Sequence, residues 1–246
     1  MRVLSYNVRR CLGTDGVVSP ARIADVIASC APDIVALQEL DVRRARSGGA
    51  DQAREIAEAL DARHVFFHPA LRVLEEEYGD AIITMLPSRL VRTGALPQAG
   101  RFLTSEPRGA IWAAVSNGGS ELQVINTHLG LTRIERRAQA AALLGPDWLG
   151  HPDCRGPAIL VGDFNSLPGG RVHRALTARL RDAHAEASGR TRPANTFPSN
   201  FPLVRIDHVL AGTGVEVVSA EVVSTALSRV ASDHLPLLVE IRLSGA

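Results

Sequence analysis

Asn7, Glu39, His128, Asp163, Asn165, Asp207, Asp233 and His234 all stand at or beside the ends of short apolar runs. A polar side chain in such a place costs free energy unless it is paired or binds an ion. Hard divalent cations take oxygen ligands, so the Glu, Asp and Asn oxygens suit Mg²⁺ better than Zn²⁺. Two histidines and an Asp–Asn pair then remain for a phosphate and an attacking water. Hydrolysis of a phosphate ester needs charge neutralised on the equatorial oxygens, an oriented water and help for the leaving oxygen. This set of residues supplies all three.

The elements that must position them are readable. Apolar runs of four to eight residues rich in Val, Ile and Leu suit strands buried between layers. Val3 to Val8 is the first, and Ile34 to Leu37 closes on Gln38-Glu39. Ala81 to Met85, Ala110 to Val115 and Leu122 to Ile125 follow, the last closing on Asn126-Thr127-His128. Ala158 to Val161 closes on Gly162-Asp163-Phe164-Asn165, and Ile206 to Leu210, Val215 to Val223 and Leu235 to Ile241 complete the set.

Helices lie between these strands. Ser19-Pro20 is an N-cap with a first-turn proline before the stripe Ile23, Val26, Ile27 and Cys30. Asp51 to Leu60 is a second amphipathic segment, and Thr132 with Glu135 has capping-box spacing for a helix through Leu144. Arg171 to Leu180 is the fourth. Each half runs strand, helix, strand and then further strands, an order expected to give two sheets packed face to face with helices outside. No Gly/Ser linker or charge block divides the chain, so residues 1–246 are expected to form a single domain. Arg190 to Pro202, rich in Pro and Asn, reads as a long loop near the site end.

Composition narrows the function classes. The chain has 246 residues, 46% of them hydrophobic and 22% charged, and a formal net charge of +1. No global charge excess advertises nucleic acid or an anionic membrane. Every Lys/Arg position is arginine, which excludes a Schiff-base lysine and a phosphate-loop lysine. Cys11, Cys30 and Cys154 have no paired spacing, which argues against a disulfide framework and for a reducing compartment. No apolar run reaches the length of a membrane span, and no secretory signal is read, so the expected location is cytoplasmic.

Taken in order, the stations Ser5-Tyr6-Asn7, Gln38-Glu39, Gly79-Asp80-Ala81-Ile82, Glu106-Pro107-Arg108, Asn126-Thr127-His128-Leu129, Gly162-Asp163-Phe164-Asn165, Arg205-Ile206-Asp207-His208 and Ser232-Asp233-His234-Leu235-Pro236 resemble the endonuclease/exonuclease/phosphatase superfamily, the deoxyribonuclease I-like fold. They span residues 5 to 236, nearly the whole chain. The resemblance implies a four-layer α/β/β/α sandwich of two mostly antiparallel sheets. It implies Mg²⁺ or Mn²⁺ on Glu39, with Asn7 and Asp233 completing the shell. Asp163 would orient or deprotonate the water, and Asn165 would hold the phosphate. His128 and His234 would donate to phosphoryl oxygens, one of them acting as general acid. Asp207 would pair with His234 and keep it charged, and Arg108 would sit near the substrate phosphate.

Departures from the superfamily locate the branch. Abasic-site endonucleases usually carry a tyrosine where this chain has His128, and a lysine where it has Leu40-Asp41. The Asn-Thr-His station instead resembles the deoxyribonuclease I, sphingomyelinase and phosphatase branches. Segments 38–49 and 196–208 resemble a group of bacterial members of unassigned substrate.

Other features read more plainly. His64 and His68 have the spacing of a zinc pair but flank Val65-Phe66-Phe67, a strand and loop, so no zinc site is expected. Glu75-Glu76-Glu77 reads as a solvated acidic turn, Glu135 as a cap, and Arg133, Arg136 and Arg137 as an exposed helix face. Arg43, Arg44 and Arg46 follow a metal-ligand strand, where an anion grip and an ordinary charged surface stand level. The expected function is a metal-dependent phosphoesterase acting on a small or lipid-derived ester. A DNA or RNA nuclease is the alternative, disfavoured by 4% aromatic content and near-zero net charge. A non-catalytic binding module is a third reading, against which the intact metal and water stations argue. No protein partner is implied, and substrate choice in this fold resides in loops.

Overall fold

The computed structural model describes residues 1–98, 106–187 and 194–244. In chain order the elements are β1 (Arg2–Asn7), α1 (Pro20–Cys30), β2 (Ile34–Val42), α2 (Gln52–Ala59), β3 (His64–Val73), β4 (Glu76–Thr84) and β5 (Ser88–Ala95). Then come β6 (Gly109–Asn117), β7 (Ser120–His128), α3 (Arg133–Leu143), β8 (Ala158–Asp163), α4 (Arg171–Thr177), β9 (Arg181–Asp182) and α5 (Ala183–Ala187). β10 (Asp207–Ala211), β11 (Val215–Val222), α6 (Ala226–Ala231) and β12 (Leu237–Leu243) complete the chain.

Two six-stranded sheets form, ordered β11-β12-β1-β2-β4-β3 and β5-β6-β7-β8-β10-β9. Each is built around one parallel pair joined through a helix, β1–β2 through α1 and β7–β8 through α3. On both sides of each pair the neighbours are antiparallel. The two halves thus share one arrangement, and both parallel pairs end in polar residues.

Both faces of the central strands are buried, which is why they read as continuous apolar runs rather than alternating ones. Val3, Ile34 and Ile82 meet Ile111, Val124, Ile159 and Val209 between the sheets. The next residues along the same strands turn outward. Leu4, Val35 and Leu37 pack under α1 and α2 with Cys11 and Cys30. Trp112, Ile125 and Leu160 pack under α3 and α4. Burial pushes the Cys11 thiol well above its ordinary range, so it is not a thiolate nucleophile.

Helix starts obey local chemistry. The Ser19 hydroxyl accepts from Arg22 N at 3.2 Å and the Thr132 hydroxyl from Glu135 N at 3.2 Å. The fourth helix is shorter than its expected Arg171–Leu180 span, ending at Thr177, although Leu180 remains in the core. The acidic turn is also narrower than expected. Leu74 takes a left-handed φ of 56° at the turn, while Glu76 and Glu77 already belong to β4. Glu77 is buried and ion-paired to Arg43 and Arg72. His64 and His68 lie in edge strand β3, where Pro69 is tolerated beside a bulge. No helix among the described residues is long and apolar enough to cross a membrane.

Candidate active site

Strand register assembles the site. His128 and Asp163 are the last residues of β7 and β8 and stand opposite each other in the parallel ladder. Asp207, the first residue of β10, pairs with Asp163 from the other side. One rung of the second sheet therefore carries His128, Asp163 and Asp207. Asn7 ends β1 on the first sheet, opposite Gln38.

Glu39 follows Gln38 at a register shift between β2 and β4, with a left-handed φ of 63°. A bulge of this kind re-aims one side chain out of the pleat. A positive φ is uncommon for a residue with a Cβ and marks strain held by its surroundings. Here the Glu39 N–H donates to the Asp80 carboxylate at 3.3 Å.

Asp163 is the hub, almost fully buried. Asn7 Nδ2 donates to its Oδ2 at 3.0 Å and to Glu39 Oε1 at 3.0 Å, bridging the two carboxylates. The Asn165 N–H donates to Asp163 Oδ1 at 2.8 Å. His128 Nε2 lies 3.4 Å and His234 Nε2 3.8 Å from Asp163 Oδ2. Burial and the Asp207 charge push the Asp163 carboxyl up, against the pull of His234.

The two histidines are driven apart in protonation. His234 Nδ1 donates to Asp207 Oδ2 at 2.9 Å. Burial works against its charge, but Asp207, helped by Asp163 and Asp233, outweighs that and holds it up at about 10. His128 goes the other way, held well below its ordinary value by burial, Arg108 and His234. Arg108 Nη1 lies 2.9 Å from His128 Nδ1. A guanidinium has only protons to give, so Nδ1 accepts and the ring proton sits on Nε2. Arg108 thus stands behind the His128 ring, with Glu106 at 3.4 Å on its other nitrogen.

The remaining expected residues converge here. Asn165, at a φ of 47°, donates from Nδ2 to the Leu129 carbonyl at 2.9 Å, and its amide end stands beside His128 Nε2. Asp233 stays partly exposed, with Arg9 Nε at 3.3 Å from its Oδ2. The Ser232 hydroxyl donates to the Asn7 carbonyl at 2.8 Å, tying that loop to β1. Phe197, from the described part of the Pro- and Asn-rich loop, packs its ring 4.8 Å from that of His234; Arg190 to Pro193 lie outside the described residues.

The donor set fits a hard divalent cation. Glu39 and Asp233 keep 22% and 29% of their side-chain surface exposed. Behind them, burial together with the charges of Glu39 and Asp163 lifts the Asp80 carboxyl to about 7, against Arg108. Glu39, Asp80 and Asp163 concentrate carboxylate charge there, which suits a divalent cation. Asp80 was not singled out from sequence, although its Gly-Asp station marks it as a carboxylate inside an apolar strand.

A second cluster, His173, Asp182 and His208, also gathers potential ligand atoms. Its valences are spent. Arg205 donates from both terminal nitrogens to Asp182, at 3.2 and 2.6 Å, and His173 Nε2 donates to Asp182 at 2.7 Å. His208 Nδ1 accepts from Arg205 at 3.0 Å, and its Nε2 donates to the Ser166 carbonyl at 2.8 Å. A guanidinium at its centre opposes a cation, so this buried network braces the loop that carries Asn165.

Of the arginines after β2, Arg46 makes a two-pronged contact with buried Asp41, at 2.8 and 2.7 Å, and stacks over Tyr78. Arg44 sits 3.4 Å from Glu76. Both are held by carboxylates, and only Arg43 keeps most of its surface exposed, although it too faces Glu77.

Comparison with known proteins agrees with this architecture. YbhP of Escherichia coli is 32% identical over 176 residues, covering 69% of this chain and 64% of that protein. The chain therefore spans a little under two thirds of that curated relative's length. An endonuclease/exonuclease/phosphatase from Beutenbergia cavernae superposes with a TM-score of 0.79 at 24% identity, over 100% of this chain and 72% of that one. A mannosyl-6-phosphatase from Bacteroides thetaiotaomicron superposes with a TM-score of 0.78 at 22% identity, over 99% of this chain and 100% of that one. These likenesses identify the deoxyribonuclease I-like fold. The sequence matches the Endonuclease/Exonuclease/phosphatase family over residues 4–234, and the chain belongs to that family, whose members are hydrolases of phosphoester bonds.

Proposed function

We propose that this protein is a divalent-metal-dependent phosphoesterase that hydrolyses a small-molecule or lipid-derived phosphate ester by attack of an activated water. The observation that carries the reading is the Asp163 hub, with a charged His234 and a neutral His128 on either side of one carboxylate. Titratable groups pushed in opposite directions by their surroundings mark acid and base assignments.

Glu39, Asn7 and Asp233 would hold Mg²⁺ or Mn²⁺, which supplies positive charge for the phosphoryl oxygens. The Asn7 amide would turn to offer its oxygen, because its nitrogen faces the carboxylates here. Asp163 orients the water and takes its proton. Asn165 and the Nε2–H of His128 bind phosphoryl oxygens, and Arg108 keeps that proton on Nε2. His234, charged through Asp207, donates to the leaving oxygen.

The test is a substrate panel with Mg²⁺, with Mn²⁺ and with EDTA. It holds plasmid DNA, RNA, bis-p-nitrophenyl phosphate, phospholipids and sugar phosphates. The expected outcome is metal-dependent release confined to small or lipid esters. Asp163→Ala should lower that turnover by roughly 10²–10⁴-fold in a variant that still unfolds cooperatively. Plasmid nicking with the esters untouched would replace this reading by a nuclease.

A further inference from the structure

Beside the site lies a groove of about 560 Å³, lined by α3, α4 and the loop after β8. Five arginines surround it: Arg133, Arg136 and Arg137 from α3, and Arg171 and Arg174 from α4. No carboxylate lines it among the described residues. The α3 arginines read from sequence as an ordinary exposed face. The fold sets a second arginine-bearing helix opposite them.

Two of the five are occupied by backbone. Arg136 donates to the carbonyls of Leu131, at 2.7 Å, and Gly130, and Arg174 to that of Gly169. Arg133, Arg137 and Arg171 are exposed and have no hydrogen-bond or ion-pair partner among the described residues. That contrasts with Arg44 and Arg46, each held by a carboxylate. Burial, and after it the like charge of Arg133, depresses the Arg136 guanidinium against the pull of Asp163 and Glu135. With a chain net charge of only +1, this concentration is local.

Position and shape give it meaning. Asn165 lines the groove and also reaches His128, so groove and hydrolytic centre are continuous. Ile134 and Leu167, 71% and 50% exposed, provide apolar walls. The volume is that of a small-molecule pocket. Clustered guanidiniums suit phosphate oxygens by charge and by planar donor geometry.

We propose that the groove is a second anion subsite, and that the substrate is a small organic molecule carrying two phosphate groups. One phosphate lies at Asn165 and His128 for hydrolysis, and the other lies on Arg133, Arg137 and Arg171. The carbon body between them rests on Ile134 and Leu167. This rests on the phosphoesterase reading of the adjacent centre. A long nucleic acid would need a phosphate track beyond the groove, and Arg44 and Arg46 are tied to carboxylates instead.

Binding separates this proposal from the catalytic reading. Calorimetry of the whole protein in EDTA would compare fructose 1,6-bisphosphate, fructose 6-phosphate and a single-stranded 20-mer DNA at low salt. The bisphosphate should bind roughly tenfold more tightly than the monophosphate, with the gap narrowing as salt rises. Arg133→Gln/Arg171→Gln should abolish most of that preference while its melting temperature stays at the wild-type value. Equal affinity for the two sugars, or an undiminished preference in the variant, would overturn the subsite. A 20-mer that binds through the same arginines while the bisphosphate gains nothing would overturn the small-substrate assignment. Wild-type turnover of bis-p-nitrophenyl phosphate with Mn²⁺, measured separately, reports on the phosphoesterase reading alone.

Discussion

On top of burial, Asp207 and Arg108 set the two site histidines apart, each with a hydrogen bond to Nδ1. A carboxylate partner draws a proton onto His234 and a guanidinium keeps one off His128. If the imidazolium of His234 is needed for turnover, activity should persist to alkaline pH and fall as pH rises through about 10. Stability linked to this group follows the same sign: fully present below 6.5, the ordinary histidine value, and lost on passing about 10. Asp207→Asn removes the charge, so the alkaline limb of the pH–rate profile should move down by roughly 1–3 units. An unmoved limb would show that His234 is not the titrating acid.

His208 has the opposite sign. Burial and then Arg205 hold it down at about 3, so it is neutral in the folded state while the unfolded chain protonates near 6.5. Its contribution is complete above 6.5 and is lost as pH falls towards 3, amounting to about 2 kcal/mol by pH 5. Denaturant unfolding at pH 7 and pH 5 should reveal that loss, and His208→Gln should shrink it. The same pH dependence in the variant would place the acid sensitivity elsewhere.

At the scale of elements, strand ends do the positioning, and two backbone departures let them do it. The bulge turns Glu39 out of β2, and Gly162 lets β8 close against β7. Gly162 has a φ of 139°, and a Cβ there would run into the Thr127 carbonyl on the neighbouring strand. Both strain and collision act, one residue from Asp163 and beside His128. Gly162→Ala should therefore cost more than about 2 kcal/mol by denaturant midpoint and lower turnover as well. A variant with wild-type stability would mean that β7 and β8 separate without consequence.

For the whole molecule, the site exists only because two sheets meet at fixed height. Asn126, from β7, is fully buried and reaches across the interface. It accepts from Gln38 Nε2 at 2.8 Å and donates to the carbonyls of Leu37 and Ala81, both at 2.9 Å. This polar bolt in an apolar interface lies next to Glu39 on one sheet and His128 on the other. Asn126→Ala would strand those three partners, for an expected loss of about 3 kcal/mol measured in urea. The Asn7 amide makes a second crossing between the sheets, from β1 to Asp163.

Much of this arrangement was legible in the chain before folding. Buried strands declare themselves by composition, since two-sided burial leaves mostly Val, Ile, Leu and Ala along their length. Ser19-Pro20 and Thr132 declare helix starts because capping is a local bond. His128, Asp163 and Asp207 stand out because a polar residue ending an apolar run has no cheap structural excuse.

Strands β5 and β3 were harder to read, because edge strands are half exposed and lack the apolar run. The end of α4 and the bulge at Glu39 depend on neighbours rather than on local spacing. Asp80 acquires its meaning from the carboxylates folded around it. The arginines at 43 to 46 and those at 133 to 137 look alike in sequence. Only the tertiary structure separates them, setting carboxylates against the first group and more arginines across from the second. The distinction is one of distance between charges, and distance between remote residues is what folding decides.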